Sequence, residues 1–371
     1  MPETSDAVRS GSGSGAAGGP GPLDHRARIE QLCARVPAPD PYSRRLSEVR
    51  QRTQARPAGS LGRLDELTHQ IAAVRRTHAS GPLPAVVSVL AADHGVAARG
   101  VSAHPHGLTG RVLRLVNAGQ APVNRIAARI PARVETADFG LLDAVGDQRY
   151  KVAAGTADIG VADAMSPDEA HRAVLAGATY CERRLADAAM IGVGEIGVGN
   201  TTVAAALAAR LLGVPSAGLV GAGSGVDEPT VRYKRELVDQ ALFRVRGVPD
   251  DPLRLLAALG GLEIAGNVGV VIAAASRHQV VVIDGTITAV AALLAVRICP
   301  TAAGSIVAAH LSTEPAHAPL LAALGQKPLL GLDMRLGMAS GAAFALGLIN
   351  SMLAVAGLTP PAKAVGLAEP S

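Results

Sequence analysis

The segment Gly192–Leu207, GVGEIGVGNTTVAAAL, follows the apolar run AAMI and passes from four glycines into an alanine-rich stretch. A short apolar run, a glycine turn and a helix make a strand–turn–helix unit, the repeat from which parallel sheets are built. Gly192, Gly194 and Gly197 match the dinucleotide fingerprint GxGxxG in that context. In a chain with 42 glycines the match carries little weight. A dinucleotide site also needs an acid at the end of the next strand to hold a ribose. The next candidate strand, SAGLVGAGSG (216–225), runs through several glycines before Asp227 is reached. No Gly-Lys-Ser/Thr comes after the turn, so a Walker A loop is excluded as well. The turn leads instead into Gly199-Asn200-Thr201-Thr202. Two hydroxyls, an amide and exposed backbone N–H groups at a helix start suit one terminal phosphate monoester. Helix capping by Asn200 or Thr201 is the competing account.

Outward from this unit, further short β-branched runs end in glycine or an acid: AVVSVLAAD (85–93), RVETADFG (133–140), AAMIGVG (188–194), SAGLVGAGSG (216–225) and QVVVIDG (279–285). Helical stretches are expected between them at 109–130, 167–187, 201–212, 228–243, 252–276 and 286–297. The alternation predicts an α/β fold, a doubly wound and mostly parallel Rossmann-like sheet with helices on both faces. Ligands in such sheets bind beyond the C-terminal strand ends. From about Leu23 to Ala79 the pattern is helical, with Leu61, Leu64, Leu67, Ile71 and Val74 forming one apolar stripe and Ser60 as the expected N-cap. Residues 1–22 are a Gly/Ser/Pro tail that cannot bury enough apolar surface to order itself.

The 371 residues suffice for one large α/β domain or two unequal ones, and a composition 49% hydrophobic and 18% charged demands a large core. Aromatics make up only 2%, with no Trp, so core volume comes from Ala, Val, Leu and Ile. That scarcity argues against a nucleic-acid partner, since single strands are held on aromatic platforms. The net charge of +4 is small, and the basic runs before residue 80 read as a solvated helical face. Cys33, Cys181 and Cys299 form neither a disulfide framework nor a CxxC pattern, and fit a reducing cytoplasm. No secretory signal is visible. Leu336–Leu358 is uncharged and long enough to cross a bilayer, but its Gly, Ser and Asn350 lower its hydrophobicity. A buried helical region is expected there, not a membrane span.

Other strand ends supply more chemistry. GAGSG (221–225) is a second glycine turn, and Lys234 on the helix after it offers a point charge to a phosphate. Asp284 and Gly285 end a strand where a carboxylate can accept from ribose hydroxyls, or simply shape a turn. Asp93, His94, His104 and His106 are loosely spaced, without HExxH or cysteine support, and read as polar loop residues; no metal is assigned. No GxSxG elbow or catalytic cysteine signature is present.

Together these pieces closely resemble the nicotinate-nucleotide–dimethylbenzimidazole phosphoribosyltransferase family. The likeness runs from about Pro57 to Ala356, through RPAGSLGRLDELTHQIA, AADHGVAARGVSAHP, GTADIG, GVGEIGVGNTTVAAAL, DPLRLLAALGGLEIAGNVGVVIAAA, VVVIDG and DMRLGMASGAAFAL in order. The resemblance implies transfer of ribose 5-phosphate from nicotinate mononucleotide to a benzimidazole base, with inversion at the anomeric carbon and no cofactor. It also implies a homodimer and a smaller helical domain drawn from both chain ends. The division expected is thus 23–80 for the first part of the small domain, 81–330 for the nucleotide-binding domain and 331–371 for its completion. The opening turn, by the same likeness, holds a mononucleotide 5′-phosphate on Gly197, Asn200, Thr201, Thr202 and Lys234. Gly223 and Ser224 line the nucleotide site, Asp284 and Gly285 lie near ribose and nicotinate, and Ser312 contacts the nucleotide. His104 falls where the family contacts the benzimidazole; Val112 falls at a similar position but is apolar, so that role is not carried to it. One departure stands out. The family pattern MRLGEGSGAA carries a glutamate taken as general base, whereas this chain has MRLGMASGAA, with Met338 there. A thioether cannot take a proton, so Glu195 is the first candidate for that work and Asp333 a distant second. Met338 then serves as an apolar wall for the flat base. Open alternatives are a homologue that binds without turnover, the same transfer to another base, and, more remotely, a dinucleotide-dependent oxidoreductase.

Overall fold

The apolar runs at 85–92 and 280–283 are buried along their whole length, as strands covered by helices on both faces must be. The computed structural model describes residues 24–78, 81–105 and 107–366; the tail expected over 1–22 lies outside the described residues. Five strands, β1 (Ala85–Ala92), β2 (Ala132–Gly140), β3 (Met190–Ile196), β4 (Val280–Ile283) and β5 (Ile306–Ala308), pair in parallel in the order β2-β1-β3-β4-β5. This is the doubly wound α/β sheet that the alternation predicts. The winding reverses between β1 and β3, and there an open sheet leaves its ligand crevice.

The helices in chain order begin with α1 (His25–Ala34), α2 (Pro41–Arg52), α3 (Arg63–Arg75), α4 (Leu108–Asn117), α5 (Pro122–Ala127) and α6 (Pro167–Arg184). They continue with α7 (Asn200–Leu212), α8 (Glu228–Arg244), α9 (Pro252–Leu259), α10 (Leu262–Ser276), α11 (Thr286–Ile298), α12 (His317–Ala323) and α13 (Ser340–Leu358). Alternate side chains of each strand feed opposite cores. Val86, Leu90, Ile191 and Val193 join α1 and α6 to α12 on one face. Val87, Val89, Met190 and Val282 join α3, α4, α5 and α13 on the other.

Several local expectations are corrected. The span 216–225 is not a strand: it forms a single 3₁₀ turn at Ser216–Gly218 followed by a glycine loop. Its glycines outnumber the β-branched residues a strand would pack. The helix expected over 109–130 splits into α4 and α5 at Gly119 (φ +71°) and Pro122. The one over 252–276 splits at Gly260 and Gly261. Gly62, not Ser60, is the N-cap of α3. The Ser60 hydroxyl accepts instead from Arg56, whose guanidinium forms a buried pair with Asp65 at 2.6 Å. β5 is too short for its pattern to show in the sequence.

α13 is long and apolar enough to cross a membrane by length and composition. Yet its inner face is buried against the sheet, and its Asn350 amide brackets the backbone of Leu83, accepting from the N–H (2.8 Å) and donating to the C=O (3.1 Å). The contact with β3 is very close. A Cβ at Gly194 would overlap the backbone of Ala339 and lie 2.6 Å from its Cβ, and one at Gly192 would lie 3.0 Å from Leu346. The first two glycines of the fingerprint therefore make room for a helix.

Candidate functional site

A cavity of about 340 Å³ opens over the C-terminal ends of β1, β3 and β4. Its walls come from the segments after β1 (101–104), β3 (195–201), β4 (284–287) and β5 (310–314), with α4, the 223–224 turn and residues 335–338 before α13. His104, Glu195, Gly197, Asn200, Thr201, Gly223, Ser224, Asp284, Gly285, Ser312 and Met338 all line it. Thr202 is fully buried one step deeper, and Lys234 reaches the wall through Thr201. Asp333 is exposed and lies outside the lining, so the geometry does not bring it to the others.

The start of α7 explains the GNTT signature. Gly199 is the N-cap, in the left-handed region at φ +91°, and no side chain caps the helix. Asn200 and Thr201 are free for other work. The Asn200 amide donates to Glu195 Oε2, and Thr201 Oγ1 accepts from Lys234 Nζ at 3.2 Å. Lys234 is 1% exposed and its ammonium also donates to Gly221 O at 2.8 Å. Burial pulls its pKa below the usual lysine range, with the Glu314 carboxylate opposing. Among the described residues no carboxylate oxygen approaches that ammonium within 4 Å, so it lacks an ion-pair partner. On the same side, Ser224 Oγ accepts from Ala103 N–H at 3.3 Å, and Glu314 Oε1 accepts from Gly223 N–H at 2.8 Å.

Glu195 ends β3 and is buried. Removal from water pushes its carboxyl up to about 8, the Glu263 and Asp284 carboxylates add to this, and the Asn200 amide works against it. A carboxyl with that poise holds a proton at neutral pH and can release or accept one near it. Asp284 is buried at the end of β4, and its Oδ1 accepts from Ala342 N–H (2.9 Å) at the start of α13 and lies 3.6 Å from His310 Nε2. Burial raises its pKa, against the pull of His310 and the α13 amides. It thus braces α13 as well as lining the cavity.

Met338 (φ +55°) and Ala339 (φ +60°) both adopt the left-handed region immediately before α13. Non-glycine residues there carry strain of order 1 kcal/mol each. With Val112, Leu336 and Ile287, Met338 gives the cavity an apolar wall. His94 is buried with Nε2 2.9 Å from Glu263 Oε1, beneath Gly197. His106 lies outside the described residues, and among those described no three His, Cys, Asp or Glu side chains are placed to share a metal.

Sequence reasoning misses His310, Glu314 and His317. His317 Nδ1 accepts from Ser312 N–H at 2.9 Å, and burial lowers its pKa to about 4, which keeps the ring neutral and able to accept. A signal is present: all three fall in HLSTEPAH (310–317), the same short run as Ser312.

A parallel sheet open at its switch point, with glycine turns walling the crevice, is the frame of a nucleotide-handling α/β enzyme. Sequence similarity narrows this: the chain belongs to the phosphoribosyltransferase family, whose model matches residues 36–360. The nicotinate-nucleotide–dimethylbenzimidazole phosphoribosyltransferase of Pseudomonas putida is 38% identical over 317 residues, 84% of this chain and 90% of the relative. The enzyme of the same name from Xanthomonas axonopodis pv. citri is 40% identical over 333 residues, 88% of this chain and 95% of the relative. A crystal structure of the enzyme of that name from Thermus thermophilus superposes with a TM-score of 0.83 at 34% identity, covering 89% of this chain and all of the other.

Proposed function

We propose that this protein transfers ribose 5-phosphate from nicotinate mononucleotide to a benzimidazole-type base, giving α-ribazole 5′-phosphate and nicotinate for the lower ligand of cobalamin. The observation that carries this reading is Lys234: a buried ammonium resting on a hydroxyl and a carbonyl, beside two glycine turns, has no ion-pair partner among the described residues and suits an anion. The phosphate binds there and on the amides of the α7 start. The apolar wall at Val112, Leu336 and Met338 receives the flat base. The imine nitrogen of the base attacks the anomeric carbon as the bond to the nicotinate nitrogen breaks. The bonding pair neutralises the pyridinium, and the N–H proton of the resulting benzimidazolium passes to the ionised carboxylate of Glu195. No step needs a cofactor. The reading extends to a homodimer, since Phe344, Val355 and Leu358 of α13 stand exposed, and to the cytoplasm, since all three cysteines are free thiols.

Incubating the purified protein with nicotinate mononucleotide and dimethylbenzimidazole, and detecting α-ribazole phosphate, tests the reaction; a panel of bases tests the acceptor. Met338 in the family's glutamate position favours one second reading, a homologue that binds both substrates without turnover.

Lys234→Ala is expected to weaken nicotinate mononucleotide binding by roughly one to two orders of magnitude, the loss of a charge-assisted contact of about 1.5–3 kcal/mol. Nicotinate riboside, which lacks the phosphate, should be far less affected. Equal losses for the two ligands in calorimetric titrations would remove the lysine from the phosphate site.

A further inference from the structure

We propose that Glu314 is an internal stand-in for the substrate phosphate, holding part of the phosphate's donor set and yielding it when the ligand docks. This rests on the phosphate reading above and deepens it.

The Glu314 carboxylate does not face solvent alone. Its Oε1 accepts from Gly223 N–H at 2.8 Å, and its Oε2 lies 2.6 Å from where a Cβ on Gly221 would sit. The same two glycines face Lys234 and Thr201. Gly221 O accepts from Lys234 Nζ at 2.8 Å, and a Cβ on Gly223 would lie 2.8 Å from Thr201 Oγ1 and 3.3 Å from Lys234 Nζ. One carboxylate, one ammonium, one hydroxyl and one free-standing amide thus converge at the second glycine turn. Three of these four suit a phosphate, and the fourth is itself an anion.

Its main chain is fixed. His317 holds Ser312 N–H, and Ser312 Oγ accepts from Glu314 N–H at 3.3 Å. The side chain is therefore the part free to move. It sits near Lys234 without pairing to it, close enough to favour the ammonium form. A dianionic phosphate entering this space meets a like charge already seated on one of its donors. Binding becomes an exchange of anions, in which Glu314 gives up Gly223 N–H and turns aside. The exchange affects the reaction in two ways. Inorganic phosphate, which brings nothing but charge, gains little from the exchange, whereas a mononucleotide adds ribose and ring contacts. After transfer, the product's phosphate is displaced by a carboxylate that never leaves the protein, which speeds release.

The test compares the wild type with Glu314→Gln and Lys234→Met, titrated with inorganic phosphate and with nicotinate mononucleotide by calorimetry, alongside steady-state kinetics. Glu314→Gln keeps the shape and removes the charge. It should bind both ligands at least about tenfold tighter, with a lower KM and, where product release limits turnover, a lower kcat. Glu314→Asp, which withdraws the charge by one methylene, should gain less, and melting curves confirm that each variant folds. A residue that merely braced the loop would lose affinity on substitution. Unchanged or weaker phosphate binding by folded Glu314→Gln, with Lys234→Met still impaired, overturns the stand-in role and leaves the phosphate site standing. Unchanged binding by Lys234→Met overturns both.

Discussion

Glu195→Gln is expected to lower turnover at least about 10²-fold while changing nicotinate mononucleotide affinity by no more than about threefold. The amide keeps the shape and the contact with Asn200 but cannot take a proton. Because the buried carboxyl titrates near about 8 and the base form is the ionised one, wild-type kcat should rise with pH through that region, and the variant should lose this limb. The same poise has a cost in stability. Glu195 has a folded-state pKa raised above its ordinary value of 4.5. Between those two values the folded protein keeps a proton that the unfolded chain releases, so stability falls as pH rises through the window. Melting temperatures of Glu195→Gln should fall less steeply over that range. Met338→Glu separates the alternatives. If Glu195 is the base, Met338→Glu restores part of the activity lost in Glu195→Gln. If Glu195→Gln does little and Met338→Glu alone raises turnover, the role is vacant in this chain. Binding of both substrates without product, before and after Met338→Glu, identifies a non-catalytic homologue.

Gly194→Ala should destabilise the protein by about 1–3 kcal/mol, a shift of several degrees in Tm, and cut activity with it. The added methyl would overlap backbone atoms of Ala339, which cannot rotate aside as a side chain would. Relief requires α13 to withdraw from β3, and that carries Met338 and the 335–338 wall out of place. Gly285→Ala is the control for stability: nothing lies within 4 Å of a Cβ there, and its φ of −110° suits any residue. Equal melting temperatures for the two variants would contradict the close packing of α13 on β3.

The layered fold was legible because parallel strands covered on both sides read as apolar runs, as β1, β3 and β4 do. The edge strand β2, with Arg133, Glu135 and Asp138, was read from its β-branched residues and closing glycine. β5 escaped because three residues show no pattern, and 216–225 misled because glycine turns and glycine-rich strands look alike in one dimension. The site was legible where a residue type carries its own chemistry, as with Lys234, Asp284 and the GNTT run. It was illegible where function depends on a partner far along the chain. Gly192 and Gly194 resemble ligand glycines until Ala339 and Leu346 are seen against them. Glu195 is an ordinary glutamate until Glu263 and Asp284 are seen beside it. His310, Glu314 and His317 escape notice because nothing local marks them as neighbours of Asp284, Gly223 and the Ser312 amide.

The close seating of α13 on β3 also sets an order of events on the ribosome. The glycine turn and Glu195 emerge early, but the helix that covers Gly192 and Gly194 comes only about 140 residues later, on the order of ten seconds of synthesis. Until then that face of the sheet is covered only by α3, α4 and α5, β3 is bare over Gly192 and Gly194, and the wall at 335–338 does not exist. A nascent chain can therefore bury most of its strands yet hold no complete pocket. Retention of nicotinate mononucleotide becomes a signal that the last helix has docked, and any factor that shields the bare face of β3 has that interval in which to act.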